Sequence, residues 1–328
     1  MPRNIALLGC GAISQAFYLP ALVKHRSEFD RLWLVDPSDH ALSIAESIIS
    51  GRRAHHLIDV ADEIDWAIVA TPNNSHCQLA GAAMSRGAHV LIEKPFVICP
   101  EEGRRLIEVA ASHKRVIAIN QTRRFFHLCR ALRHQLDEGD LGPLQSIVHR
   151  EGTKLTWPFE SGAGFARGAQ RTGVVMDFGV HVIDFYHYLL RPQWVFISAC
   201  HDGFQGPEGL AEIELQANGA PVSIRLSRYH QQANVAHLAF ERATISFSVH
   251  DPEAYTIRWK SGKSKTFATR RAGPEQGTNA EQVLLNFLAA SEKREAAVCD
   301  AASSLPVIEL LDEIYRRAAK YPAALGSV

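Results

Sequence analysis

The chain has no surplus of charge: 35 Lys and Arg residues balance 35 Asp and Glu residues. Without a basic field it has no footprint for a nucleic-acid backbone, and without an acidic block it has no solvated tail, so the expected partner is a small molecule. Paired cysteines are missing too. The six (Cys10, Cys77, Cys99, Cys129, Cys200 and Cys299) stand singly, with no C-x-x-C among them. That excludes a disulfide framework and fits reduced thiols in the cytoplasm. No run of about 18 apolar residues exists, so no membrane span is expected. Leu7-Leu8-Gly9-Cys10 superficially resembles a lipoprotein cleavage box, but the apolar run before it is too short for a signal segment. His55-His56, His76 and the isolated cysteines lack the spacing of a zinc site, and no metal is expected. Repeats and low-complexity tracts are absent, and only Ser261 to Gly277 reads as loose.

What is present is enough apolar residue, 46% of 328, for two domains with their own cores. Apolar runs at Ile5 to Leu8, Leu32 to Val35, Asp65 to Ala70, His89 to Ile92 and Val116 to Ile119 read as strands. Helical spacing separates them: Ala12 to Lys24, broken by Pro20; Asp36-Pro37 through Ile48; Ser75 to Arg86, closed by Gly87; and Glu101 to His113. Fully apolar strands alternating with helices specify a parallel, doubly wound sheet over residues 1–120.

From 121 to 328 the rhythm changes. Helices are expected at Leu128 to Glu138, Val174 to Leu190, Asn279 to Ser291 and Leu305 to Lys320. Strand-like runs start at Leu144, Val195, Ala211, Val222, His237, Thr244 and Tyr255, close enough together for a largely antiparallel sheet. A glycine-rich loop fills Thr153 to Gly173. The fold class is therefore α/β, with a nucleotide-binding Rossmann domain and a second α/β domain.

Gly9-Cys10-Gly11-Ala12-Ile13-Ser14 falls between the first strand and the first helix. Bare glycines there let a pyrophosphate reach the amides at the helix start, although a tight turn alone would use the same residues. Asp36 ends the second strand, 22 residues after Ser14, where a carboxylate binds adenosine ribose hydroxyls; it also suits a helix N-cap. A carboxylate repels a 2′-phosphate, which favours NAD, while Ser38, Arg52 and Arg53 keep NADP open. Thr71-Pro72-Asn73-Asn74-Ser75-His76 follows a strand end, as a ligand loop or as a turn capped by Ser75.

Glu93-Lys94-Pro95 ends the next strand. A lysine aimed there by proline could stabilise an oxyanion as hydride leaves carbon, or be a surface residue. Asp177, His181, Asp184 and Tyr188 stand at i, i+4, i+7 and i+11 on an otherwise apolar helix and form one polar stripe. Ionisable groups on such a helix are costly unless paired or facing a cleft. His181 could then accept a proton with an Asp holding its tautomer, or the pair could only staple a core. Gly179, costing about 1 kcal/mol in a helix, hints at a close approach.

Taken together, the G-x-G turn, Thr71-Pro72-Asn73 with His76, Glu93-Lys94-Pro95 and Asp177-x-Gly179-x-His181-x-x-Asp184 closely resemble the Gfo/Idh/MocA oxidoreductases. The resemblance extends through Asn120-Gln121-Thr122-Arg123-Arg124-Phe125 to the closing helix. It implies Lys94 and His181 as the catalytic pair, with Asp177 contacting substrate or histidine. It also implies that Pro72, Asn73, His76 and Glu93 line the nicotinamide side of the cofactor, and that Arg124 and Trp157 contact substrate. The implied reaction is interconversion of a secondary alcohol and a ketone on a sugar, sugar nucleotide or cyclitol, by a protein that often oligomerises through its second sheet. Two other activities belong to the same superfamily: glycosidases that oxidise transiently with held NAD, and NAD-binding regulators without the catalytic pair. The presence of Lys94 and His181 argues against a regulator. Two departures stand out. Only Gly173 remains of the glycines common before the catalytic helix, and Ser14 replaces the last glycine of the turn.

Overall fold

Strands that must be covered on both faces need an apolar residue at every position, and the first sheet is built from such runs. The computed structural model describes residues 3–154, 171–204, 206–269 and 278–321. β1 (Asn4–Leu8), β2 (Arg31–Val35), β3 (Arg52–Ala54), β4 (Trp66–Val69), β5 (His89–Ile92) and β6 (Ile117–Ile119) pair in the order β3-β2-β1-β4-β5-β6, all parallel. β1 and β4 are buried along their whole length. α1 (Leu19–Lys24), α2 (Asp39–Ile48), α3 (His76–Ser85) and α4 (Pro100–His113) lie between successive strands.

Strand order reverses between β1 and β4, which makes their carboxyl ends the switch point where ligands bind in such sheets. Gly9, Asp36, Thr71, Glu93 and Asn120 follow the ends of β1, β2, β4, β5 and β6 and therefore share one edge. β3 escaped the periodicity argument because Arg52 and Arg53 are exposed on a short edge strand, where charge replaces apolar pattern. The helix expected from Ala12 to Lys24 is instead a π turn, Ser14–Tyr18, followed by α1 with Pro20 in its first turn. A wider turn accommodates a proline that brings no N–H and needs room beside the preceding carbonyls.

Residues 278–308 belong to this first compact unit. They carry α7 (Asn279–Ser291) and the start of α8 (Ala301–Arg317). Side chains tie α7 down: Glu281 accepts from Lys24 at 2.8 Å and faces His25 at 2.7 Å, and Trp66 Nε1 donates to Ser291 Oγ at 2.8 Å.

The second unit is built on a nine-stranded sheet. Its strands are β7 (Leu144–Gly152), β8 (Trp194–His201), β9 (Leu210–Ala217), β10 (Ala220–Ser227), β11 (Val235–Phe240), β12 (Ala243–Ser248), β13 (Ala254–Trp259), β14 (Ser264–Ala268) and β15 (Ala319–Lys320). The order is β14-β13-β12-β11-β7-β10-β9-β8-β15. Among the described residues only β7/β10 and β8/β15 pair in parallel in this sheet. Burial alternates strictly along β9, as a sheet with one core face requires. β14 lies in the stretch expected to be loose; its Ser-Lys-Thr start is polar because it is an outer strand. α5 (His127–Asp137) and α6 (Val180–Leu190) belong to this unit, and a π turn, Val175–Gly179, leads into α6.

Candidate active site

Gly9 has φ +95°, and a Cβ there would lie 2.5 Å from the Ala70 carbonyl oxygen, so only glycine lets the β1 turn pass the end of β4. Ser14 is fully buried and donates through Oγ to Gly9 O at 2.5 Å, which explains how serine replaces the usual third glycine. Gly11 is different. A Cβ there would meet nothing within 4 Å, so the side chain is missing beside open space and not beside protein. Ala12 and Ile13 follow, at a helix start whose first amides have no carbonyl partner within the helix. These are the requirements of a pyrophosphate cradle, and the residues present fit a dinucleotide. Gly11→Ala is accordingly expected to leave the melting temperature unchanged but weaken NAD binding at least tenfold; calorimetry showing wild-type affinity would remove the pyrophosphate from this turn.

Asp36 does not cap α2. Ser38 does, accepting from Ala41 N–H at 3.3 Å. The Asp36 carboxylate instead accepts from Cys10 N–H and Ser38 N–H, each at 2.8 Å, and so locks the glycine turn to the end of β2. Burial, with Asp36 beside it, pushes the Cys10 thiol up to about 12, which keeps it protonated and unreactive.

In the loop after β4, Ser75 Oγ donates toward Thr71 Oγ1 and Pro72 O, both at 2.7 Å, while Pro72 is exposed and Asn73 half-buried. His76, expected to line the cofactor, is fully buried. Its Nδ1 lies 2.9 Å from Pro95 O and its Nε2 2.8 Å from Thr71 O. Two facing carbonyls favour a doubly protonated ring, but burial outweighs them and pulls the pKa below 6.5. His76 therefore sits between the Thr71 loop and the turn after β5, and its neutral ring donates its single N–H to one of these two carbonyls.

Glu93 is buried as well. Tyr18 donates to its Oε1 at 2.8 Å and Asn120 Nδ2 at 2.5 Å, while Lys94 N–H donates to Oε2 at 3.1 Å. Half-buried Lys94 thus leaves β5 from a backbone pinned by a buried carboxylate, followed by a cis bond to Pro95. Burial and the Glu93 charge hold the Tyr18 phenol well above its ordinary value, so it stays a donor.

In the second unit the polar stripe divides into different tasks. Asp177 and His181 are half-buried, Asp177 inside the π turn and His181 in the first turn of α6. Asp184 is fully buried and accepts two bonds from Arg124, from Nε at 2.9 Å and Nη2 at 2.6 Å. Arg124, expected to touch substrate, has a side chain 1% exposed and lies 5.0 Å over the Tyr188 ring. It is an anchor for α6. Asp177 pairs with Arg228, which directly follows β10.

Beside them Glu151 accepts from both terminal nitrogens of Arg123, at 3.0 and 2.6 Å, and His149 Nε2 lies 3.1 Å away. Burial alone would raise the Glu151 carboxyl, but Arg123 and these bonds hold it well below the carboxylate range. The close approach expected at Gly179 is absent: a Cβ would meet Leu226 at 3.5 Å, ordinary contact. It occurs at Gly173, where a Cβ would lie 2.2 Å from the Glu208 carboxyl carbon. Glu208 Oε1 in turn accepts from Val175 N–H at 3.1 Å and Tyr315 OH at 2.6 Å, fixing the start of the π turn. Trp157 lies outside the described residues.

Residues 3–121 match the oxidoreductase family with an NAD-binding Rossmann fold, GFO_IDH_MocA, and residues 129–268 match the GFO/IDH/MocA C-terminal domain. The chain belongs to the Gfo/Idh/MocA oxidoreductases. It is 26% identical to inositol 2-dehydrogenase 2 of Saccharopolyspora erythraea over 94% of this chain and 92% of that one. It is 27% identical to the uncharacterized oxidoreductase YdgJ of Escherichia coli, where the match covers 55% of this chain and only 51% of that protein. The chain thus spans about half the length of several curated relatives. Among solved structures, a 3-ketoreductase from Actinomadura kijaniata in complex with NADP and TDP-benzene shares the fold with TM-score 0.82 and 19% identity, over 98% of this chain and 100% of that one.

In this oxidoreductase, motif spacing singled out Lys94, Asp177 and His181 as candidates but not Tyr18, Asn120, Arg228 and Glu208, which hold the segments that carry them. Those residues come from distant strands and helices, and only Asn120 carried a signal, standing in the stretch from Asn120 to Phe125. Among the described residues no three His, Cys, Asp or Glu side chains gather as a metal site, and no helix is long and apolar enough to cross a membrane.

Proposed function

We propose that this oxidoreductase interconverts a secondary alcohol and a ketone on a sugar, sugar nucleotide or cyclitol, with NAD as its redox partner. One observation carries the reading: successive strand ends along one sheet edge bear a dinucleotide turn open at Gly11, the anchored Asp36 and the glutamate-backed Lys94. Bound nicotinamide supplies the hydride acceptor for oxidation and the donor for reduction. Lys94 donates a hydrogen bond to the reacting oxygen and stabilises the charge that grows there. His181 takes the hydroxyl proton and returns it in the reverse direction. Asp177 accepts from a substrate hydroxyl and orients the ring. The names of the inositol dehydrogenase and the 3-ketoreductase support a polyhydroxylated substrate.

Asp36 argues for NAD, since its carboxylate would face a 2′-phosphate. The cations that could favour NADP have other partners: Arg52 pairs with Asp62 at 3.1 Å and Arg53 with Glu46 at 2.8 Å. Absorbance at the reduced-cofactor band, with NAD or NADP against glucose, glucose 6-phosphate, myo-inositol and a TDP-hexose, tests the whole reading. The expected result is turnover of at least one, with NAD favoured about tenfold or more in kcat/KM, a gap of roughly 1.4 kcal/mol that Asp36→Ser narrows. Cofactor reduction by none of them, no NADH oxidation with 3-keto sugars, or release of sugar from a glycoside without net NADH would sink it.

A further inference from the structure

Arg228 stands directly after β10, and the backbone there is fixed from several sides. Its N–H donates to Gly209 O at 2.7 Å, and the phenol of the following Tyr229 donates to Asp202 at 2.5 Å. Gly209 has no side chain because a Cβ would lie 2.3 Å from the Tyr229 ring. β10 and β7 run parallel with Ser227 beside Gly152, so Arg228 leaves the sheet at the same edge as Glu151.

From that anchored origin the guanidinium makes an ion pair with Asp177 and sits over Phe178, 3.8 Å from the ring centroid. Asp177 and Phe178 are neighbours in the π turn that precedes His181, so one cation grips two consecutive residues of that turn. The Arg228 side chain is 20% exposed and that of Asp177 32%. Water is thinned around the pair, yet a small polar molecule can still reach the carboxylate. Burial draws the guanidinium down to about 10, with the negative Glu151 opposing, which leaves it a cation at neutral pH.

A carboxylate on an open turn would sample several rotamers, and an ion pair with a guanidinium whose own backbone is anchored narrows that freedom. With 32% of its side chain exposed, that carboxylate stays within reach of a substrate hydroxyl. We propose that Arg228 is the positioning residue for Asp177, holding its carboxylate in the one orientation that receives a substrate hydroxyl. The inference rests on Asp177 taking part in the reaction as proposed above.

A double-mutant cycle separates positioning from general support of the fold. Full-length protein carrying Arg228→Met, Asp177→Asn or both is assayed with saturating NAD on myo-inositol and on a TDP-hexose. Each single change is expected to lower kcat/KM at least tenfold, the double variant to be no worse than Asp177→Asn alone, and Arg228→Lys to recover part of the loss. Multiplying losses, or a wild-type rate for Arg228→Met beside an impaired Asp177→Asn, overturns the inference while leaving the proposed function standing. A wild-type rate for Asp177→Asn removes the role of Asp177 itself and the inference with it. Should neither probe be turned over, the Asp177 carboxyl carbon resonance decides: it is expected to move in Arg228→Met far more than in Arg228→Lys, and an unmoved resonance overturns the proposal.

Discussion

Replacing His181 by alanine is expected to lower kcat and kcat/KM together by about 10²–10⁴, the usual worth of a positioned general base. The expectation follows from its placement. His181 is half-buried in the first turn of α6, behind a π turn whose start is held by Glu208 and Tyr315 and whose Asp177 is gripped by Arg228. A ring carried on so constrained a segment loses little entropy on reaching its working position. Lys94→Ala is expected to cost a similar factor, roughly 10²–10³, because an oxyanion donor acts most strongly in the transition state. NAD affinity, read by fluorescence of the reduced cofactor, should change little in His181→Ala. Full turnover in both variants on a substrate from the panel would show that proton transfer and oxygen stabilisation are done elsewhere.

Arg124→Met is expected to destabilise the protein by about 3–5 kcal/mol, as breaking a buried pair from one side generally does. Both Arg124 nitrogens that face Asp184 lie within 2.9 Å of it, and the two side chains are 1% and 0% exposed. Removing the cation strands a carboxylate in the core, whose desolvation is no longer offset. The companion variant Arg124→Met with Asp184→Leu should recover much of the loss, since an apolar pair of similar volume needs no compensation. Urea midpoints for the single and double variants measure this directly; a single-variant loss below about 1 kcal/mol would mean that the pair behaves like an exposed one. NAD affinity is expected to change little in either variant, because the candidate cofactor residues Gly9, Gly11 and Asp36 belong to the first unit and Arg124 and Asp184 to the second.

Much of the fold was legible before any coordinates. The apolar runs that became β1, β4 and β5 are unmistakable because strands covered on both faces leave no room for polar residues, and the candidate residues Gly9, Thr71 and Lys94 sit just past their ends. Where the pattern had to be polar, it misled: β3 and β14 are edge strands that read as loop. The polar stripe running into α6 was visible at helical spacing, but the different surroundings of its members were not. Asp184 and Asp177 look alike in sequence, yet one faces Arg124 in the core and the other Arg228 at a sheet edge. His76 was expected at the cofactor for its motif, and its ring is buried between the carbonyls of Pro95 and Thr71.

By itself the sequence determined an α/β chain of this oxidoreductase family, a glycine turn after its first strand, and the candidates Lys94, Asp177 and His181. These are local properties: the period of hydrophobicity, the steric freedom of glycine, and reactive groups placed at strand ends or on one helix face. Only tertiary structure decided which candidates stay accessible and what holds them. Tyr18 and Asn120 reach Glu93 from other elements, Arg228 reaches Asp177 from β10, and Glu208 excludes any side chain at Gly173. Burial and charge pairing depend on distances between residues far apart in the chain, and no local pattern records them.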